Sequence, residues 1–168
     1  MTDLLALDAA ALTALYRKRA ASPVDYLEAA LARLARENPR VNALNVLDAA
    51  GARAAAQASA ARWAKGAPLS PADGIVATIK DNVMLAGFPS RRGSATSDPA
   101  PVGVDAPAPA RLKEAGCVIL GKTTLPEYGW KGVTDSPLTG VTRNPWKLSR
   151  TPGGSSGGAA ALAALGIG

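Results

Sequence analysis

The stretch Thr151-Pro152-Gly153-Gly154-Ser155-Ser156-Gly157-Gly158 is the most informative part of this sequence. It is followed by the alanine-rich residues 159–168. Its two adjacent serines lie between pairs of glycines, shortly after a proline. Glycine lets a backbone turn sharply and lets other groups approach the serine hydroxyls closely. A flexible Gly/Ser linker is the alternative, but linkers seldom begin with Thr-Pro and rarely run into a strong helix former. The stretch therefore predicts a loop that presents two serines before a helix over Ala159–Leu165.

Further segments upstream of the serines alternate between strand-like and loop-like composition. Gly74–Lys80 is almost continuously apolar, which is typical of a strand buried on both faces. A second apolar run, Cys117–Leu120, predicts another strand. The segments that complete the pattern are Asp81-Asn82, Gly121-Lys122-Thr123, Pro126-Glu127-Tyr128-Gly129, Asp135-Ser136-Pro137-Leu138-Thr139-Gly140 and Asn144-Pro145-Trp146.

In this order and spacing, the segments resemble the amidase signature family, serine hydrolases that cleave carboxamides with a Ser-Ser-Lys triad. The resemblance covers roughly the whole chain and is most specific from Gly74 onward. It implies an α/β fold in which N-terminal helices precede the first half of a mixed sheet flanked by helices. The whole of 1–168 is then the N-terminal part of one domain, with a helical cap over about 1–65 and the α/β core beginning over about 74–168.

The resemblance also assigns roles to the serine loop and to the first strand. Lys80 corresponds to the catalytic base, and Ser155 to a serine that follows a cis peptide bond and relays protons. Gly153 and Gly154 support that loop, and Ser156 is expected to hydrogen-bond Lys80. The nucleophile of the family is a third serine further along, past Gly168, so the chain as given is expected to lack it and to be inactive on its own.

The segment between Gly129 and Thr134 corresponds to one that lines the acyl pocket in relatives. The candidate pocket residues are therefore Gly129, Trp130 and Thr134. The same residues are also compatible with a plain surface turn. Taken alone, Lys80 also has two interpretations. It is either a strand-end lysine that reaches solvent or a base kept neutral because desolvation lowers its pKa.

The composition narrows the chemistry further. The chain has no histidine, which excludes Ser-His-Asp and Cys-His catalysis among its 168 residues. A single cysteine excludes an internal disulfide. The net charge of +6 resides in short clusters without interleaved aromatic residues, so no nucleic-acid partner is expected. A small-molecule amide is the expected partner, without metal or organic cofactor, and the full-length enzyme is a candidate homodimer.

No stretch approaches the ~20 apolar residues of a membrane helix. Met1-Thr2-Asp3 also lacks the basic start of a signal peptide. A cytoplasmic enzyme without a membrane partner is the resulting expectation.

Capping residues and breakers predict the remaining elements. Helices are expected from Asp8 to about Arg19, from Ser22-Pro23 to about Asn38-Pro39, from Asp48 to about Lys65, and from an Asp105 cap over Ala106–Ala115. Pro109 fits the last of these less well and could delay its regular part. Ser90–Val104 and most of Ser136–Pro152 are expected to be loops.

Other functions remain open at this point. One is the glutaminase subunit of the tRNA-dependent amidotransferase, although residues 130–135 look more like those of stand-alone amidases. Another is nucleotide binding, because Gly116–Thr123 matches the phosphate-loop pattern G-x-x-x-x-G-K-[ST]. Against it, the four intervening residues form a predicted strand, and Pro126 interrupts the helix that should follow. A non-catalytic remnant is the third.

Overall fold

The computed structural model describes residues 3–168, so Met1 and Thr2, the start of the polar N-terminus considered above, lie outside the described residues. Helices dominate the first part of the chain, and strands and helices alternate afterwards. In chain order the elements are α1 (Ala9–Arg17), α2 (Pro23–Val41), β1 (Leu44–Leu47), α3 (Ala49–Ala64), β2 (Val76–Lys80), α4 (Pro107–Glu114), β3 (Val118–Thr123), β4 (Asp135–Ser136), β5 (Gly140–Val141) and α5 (Gly157–Ala164). Single 3-10 turns occupy Leu4–Ala6 and Glu127–Gly129.

The predicted N-caps of the first three helices are confirmed. Asp8 and Asp48 each accept a hydrogen bond from the amide three residues further on, at 2.8 and 2.9 Å. Ser22 and Asp25 form a reciprocal capping box at the start of α2. These bonds satisfy amides that the first helical turn leaves without partners.

Helix α2 extends beyond its predicted end near Asn38-Pro39 and stops only at Val41. Pro39 removes one hydrogen bond of the helix, and the turn after it is held by the Asn38 side chain. The Oδ1 atom of Asn38 accepts the amide protons of Ala43 and Leu44 at 2.8 and 2.9 Å. The proline therefore lies inside the last helical turn and does not end the helix.

The predicted cap of α4 is wrong. The helix begins at Pro107, its N-cap is Ala106, and no side chain caps it. Asp105 instead accepts from the amide of Ala86 at 2.8 Å and pairs with Lys113 at 2.7 Å. Pro109 does not delay the helix, because in the first turn a residue without N–H loses no intrahelical bond.

The larger sheet has the strand order β1-β3-β2. Strand β3 is antiparallel to β1 and parallel to β2, with Lys80 in register with Thr123. Strand β1 was not predicted, and β3 continues past Leu120 because it pairs on both sides. Gly121 permits that pairing, since a Cβ there would collide with the Val46 carbonyl oxygen. A small β4–β5 hairpin lies within the predicted loop Ser136–Pro152 and its flank.

One hydrophobic cluster joins the helical region to the sheet. Apolar positions at helical spacing on α2 pack with small alanines of α3 against the strands. The cluster's main members are Leu27, Ala30, Leu34, Ala52, Ala56, Val76, Val118, Leu120 and Leu162. Because α5 packs on β2, the start of α5 is brought close to the end of β2. Within residues 3–168, no helix combines the length and the apolar character required to cross a bilayer.

Candidate active site

Lys80 and Ser155 meet where strand β2 ends and helix α5 begins. The Nζ atom of Lys80 donates a hydrogen bond of 2.7 Å to the Oγ atom of Ser155. Both side chains are only partly buried, so the contact lies at an accessible edge of the sheet. Two residues that the sequence singled out, 75 positions apart, are therefore direct partners.

The surroundings of Lys80 lower its pKa. Burial lowers the pKa of Lys80 below the ordinary value for lysine, because desolvation penalises the charged amine. The next residue, Asp81, does not offset this, because its carboxylate pairs with Lys122. A lysine amine with a lowered pKa can accept a proton at a pH closer to neutrality.

The serine loop is firmly attached to the segment before β4. The hydroxyl of Thr134 donates to the carbonyl oxygen of Gly153 at 2.8 Å and accepts from the amide of Gly157 at 3.2 Å. The backbone of the loop also passes very close to this segment, since a Cβ on Gly154 would lie 2.8 Å from the Val133 nitrogen. A flexible linker does not have such contacts, so that alternative is wrong. The peptide bond between Gly154 and Ser155 is cis.

Ser156 does not make the bond expected of it. In the described part of the chain, the amine of Lys80 bonds Ser155, and no side-chain hydrogen bond joins it to Ser156. Ser156 is exposed and occupies the N-cap position of α5 without a side-chain capping bond. The physical reason is the geometry of the loop, which turns the first serine of the pair toward the end of β2. Ser156 therefore contributes through its backbone position in this structure.

The three candidate pocket residues have different environments. A Cβ on Gly129 would lie 3.7 Å from both the Ser155 hydroxyl oxygen and the Asn82 amide nitrogen, so Gly129 lies directly beside the site. Trp130 is 77% exposed and lies on the surface next to it. Thr134 is buried, and its hydroxyl is hydrogen-bonded to the backbone of the serine loop.

Sequence reasoning missed Asn82 and the structural role of Thr134. The amide of Asn82 faces the same space as the Ser155 hydroxyl. Its only signal in the sequence was its position two residues after Lys80. Thr134 carried no local signal, because its contacts with Gly153 and Gly157 depend on the tertiary fold.

The phosphate-loop match is incompatible with the structure. Residues 118–123 are strand β3, so they cannot wrap around a phosphate. Lys122 is fully buried, and its Nζ atom is bound to carbonyl and carboxylate oxygens of the protein. Across residues 3–168, no group of three or more Cys, Asp or Glu side chains lies together in a way that could hold a metal ion.

Comparisons with known proteins agree with this geometry. The family model "Amidase" matches residues 25–168. The indoleacetamide hydrolase of Bradyrhizobium diazoefficiens is 42% identical over 152 residues, which cover 90% of this chain and 29% of that protein. A glutamyl-tRNA(Gln) amidotransferase subunit from Acidothermus cellulolyticus is 40% identical over 164 residues, covering 98% of this chain and 32% of that protein.

A crystal structure of an amidase superposes with a TM-score of 0.88 at 36% identity and covers 96% of this chain and 37% of that one. The chain thus spans about a third of the length of the relatives it matches. With a matching family model over most of its length, the chain belongs to the amidase signature family.

Proposed function

We propose that the protein hydrolyses carboxamide C–N bonds through an acyl-enzyme, with a Ser-Ser-Lys triad of which this chain carries two members. Lys80 is the base and Ser155 the relay. The nucleophile is a serine of a segment outside the 168 residues, as the resemblance and the one-third coverage of the relatives indicate. The observation that supports this most directly is the 2.7 Å contact between the Lys80 amine and the Ser155 hydroxyl.

The proposed reaction moves one proton along this contact in each direction. Neutral Lys80 takes the proton of Ser155 while Ser155 takes the proton of the nucleophilic serine, whose oxygen attacks the amide carbonyl carbon. The relay then returns the proton to the nitrogen of the leaving group, and the C–N bond breaks to release the amine. Water, deprotonated through the same relay, cleaves the acyl ester and regenerates the serine.

The substrate is proposed to be a small carboxamide. Relatives named for hydrolysis of indoleacetamide and for a glutamyl-tRNA(Gln) amidotransferase match this chain about equally well. The stretch Trp130-Lys131-Gly132-Val133-Thr134-Asp135 favours a stand-alone amidase. The second candidate, a glutaminase subunit that works with partner subunits, is favoured by the 98% coverage of this chain by that relative. A cytoplasmic homodimer that needs no cofactor completes the proposal.

A serine-directed phosphonate probe tests the assignment of roles. The polypeptide that the gene encodes through the segment after Gly168 is treated with the probe beside the 168-residue chain, and the labelled residue is located by mass spectrometry. Labelling on a serine outside the 168 residues, together with ammonia release from indoleacetamide, is expected. Labelling of Ser155 itself would contradict its role as a relay.

The same preparation separates the two candidate functions. Ammonia release from glutamine that rises when partner subunits are added would favour the glutaminase subunit. Release from indoleacetamide that does not depend on a partner would favour the stand-alone amidase. Absence of both activities in the longer polypeptide would overturn the proposal.

A further inference from the structure

Lys122 is a buried charge that the proposed reaction does not use. It lies in β3, its exposure is 0%, and it is next to Thr123, the register partner of Lys80. Since successive side chains of a strand point to opposite faces, Lys122 and Lys80 project from opposite faces of the sheet. A buried lysine of this kind is costly unless its charge and its three protons are all matched.

The charge of Lys122 and two of its protons have partners on one short segment. Its Nζ atom lies 3.1 Å from the Asp81 carboxylate oxygen Oδ1, 3.2 Å from the Asp81 carbonyl oxygen and 2.5 Å from the Pro89 carbonyl oxygen. Asp81 is the residue directly after Lys80, and Pro89 belongs to the loop that follows. One ammonium group therefore joins β3 to both the beginning of this loop and its return.

Asp81 is fixed from the other directions as well. Its amide donates to the carbonyl oxygen of Thr123 at 3.1 Å, and its own carbonyl oxygen accepts from the Ser90 hydroxyl at 3.0 Å. Lys80 thus precedes a residue whose backbone N–H, backbone carbonyl and side chain are all engaged. The backbone at the end of β2 has few ways to move, and this limits the positions available to the Lys80 amine.

We infer that the Lys122–Asp81 pair is a positioning device for the base, which holds the end of β2 so that the Lys80 amine stays within hydrogen-bond distance of Ser155. This rests on the proposed function, because it is through Lys80 that the pair acts. Lys122 touches neither Ser155 nor the reacting atoms. Loss of the pair lets the strand end shift, and a displacement of about 1 Å at a reacting group can cost ~10²-fold in rate.

A second ion pair, in which only the carboxylate is fully buried, provides the control. At the beginning of β2, Arg62 binds Asp73 through two hydrogen bonds of 2.7 and 2.6 Å, and Asp73 is fully buried. This pair also anchors a segment next to β2, but at the end remote from Lys80. Its loss should reduce stability without displacing the base.

The experiment compares Lys122→Met, Asp81→Asn and Arg62→Met in the longer, gene-encoded polypeptide. Amide hydrolysis is measured below the unfolding midpoint of every variant, and kcat and the pH midpoint of kcat/KM are recorded. We expect Lys122→Met to lower kcat about 10²-fold. Its pH midpoint should move upward, because water reaches Lys80 more easily. Arg62→Met should lower the melting temperature and leave kcat and the pH midpoint at the parent values.

Lys122→Met with parental kcat and pH midpoint, whatever its melting temperature, would overturn the inference. If that variant does not fold, Asp81→Asn, which preserves the side-chain shape, decides by the same two readouts. If the Lys80→Ala variant keeps the parental rate, the proposed function is wrong. That result does not depend on how the Lys122 variants behave.

Discussion

Lys80 and Lys122 lie one residue apart in register on adjacent parallel strands, yet they have opposite environments. Lys80 is partly exposed and its amine bonds an uncharged serine hydroxyl. Lys122 is completely buried and pairs with the carboxylate of Asp81. Burial lowers the pKa of both lysines, but only Lys122 has a nearby carboxylate, that of Asp81, which acts to raise its pKa. We propose that the partner, more than the depth of burial, separates a lysine suited to act as a base from one that holds the fold.

Replacing Lys80 with alanine should have the largest effect on activity and tests the role proposed for it. Lys80→Ala should lower amide hydrolysis by ~10²-fold or more, because loss of a positioned base typically costs that much. Lys113→Ala is the control, since Lys113 is partly exposed and pairs with Asp105 away from the site. Steady-state kinetics of the longer polypeptide measures both. Equal rates for the Lys80 variant and the parent would remove Lys80 from the mechanism.

Variants of Lys80 and Lys122 should differ clearly in stability. Lys122→Met leaves the Asp81 carboxylate buried without its partner, and breaking a buried pair in this way costs about 3 kcal/mol or more. Lys80→Met removes no ion pair and should change the free energy of unfolding by less than about 1 kcal/mol. Denaturant unfolding provides the numbers. A Lys80 variant that loses more stability than the Lys122 variant would contradict the division of roles.

The pH dependence of hydrolysis should follow Lys80. Protonated lysine has no lone pair to accept the Ser155 proton, so the rate is low below the pKa of Lys80 and rises as the pH passes through it. Because burial lowers that pKa, the rise occurs below the ordinary lysine value of about 10.4. Each pH unit below the midpoint should cost about tenfold in kcat/KM. A flat profile from acid to alkaline pH would argue against a neutral lysine as base.

The sequence predicted much of the helical region because caps are local. Asp8, Ser22 and Asp48 bond amides three residues away, and these bonds depend on few other contacts. Asp105 looked equally suitable as a cap, but Lys113 and the amide of Ala86 compete for its carboxylate. Strand β1 was missed because pairing with β3, and not its own composition, makes it a strand.

The candidate site also combines contacts that the sequence could predict with contacts that it could not. The pairing of Lys80 with Ser155 could be predicted because the order of the motifs resembles that of the family. The structure contains the hydrogen bond between the two side chains. The contacts of Thr134 and Lys122 could not be predicted, because each depends on segments that are distant along the chain. The residues around Lys122 match the phosphate-loop pattern. The predicted strand and Pro126 already argued against that match, and the burial of Lys122 agrees with them.

The smallest expected effect concerns which of the two serines belongs to Lys80. Ser156 is exposed and its side chain makes no hydrogen bond to Lys80, so Ser156→Ala should change the free energy of unfolding by no more than about 0.5 kcal/mol. Its hydrolytic rate should remain far above that of Ser155→Ala, which removes the relay hydroxyl. Kinetics and denaturant unfolding of the two variants, made in the same longer polypeptide, form a matched pair. A loss in Ser156→Ala equal to that in Ser155→Ala would mean that the amine of Lys80 exchanges between both hydroxyls during the reaction.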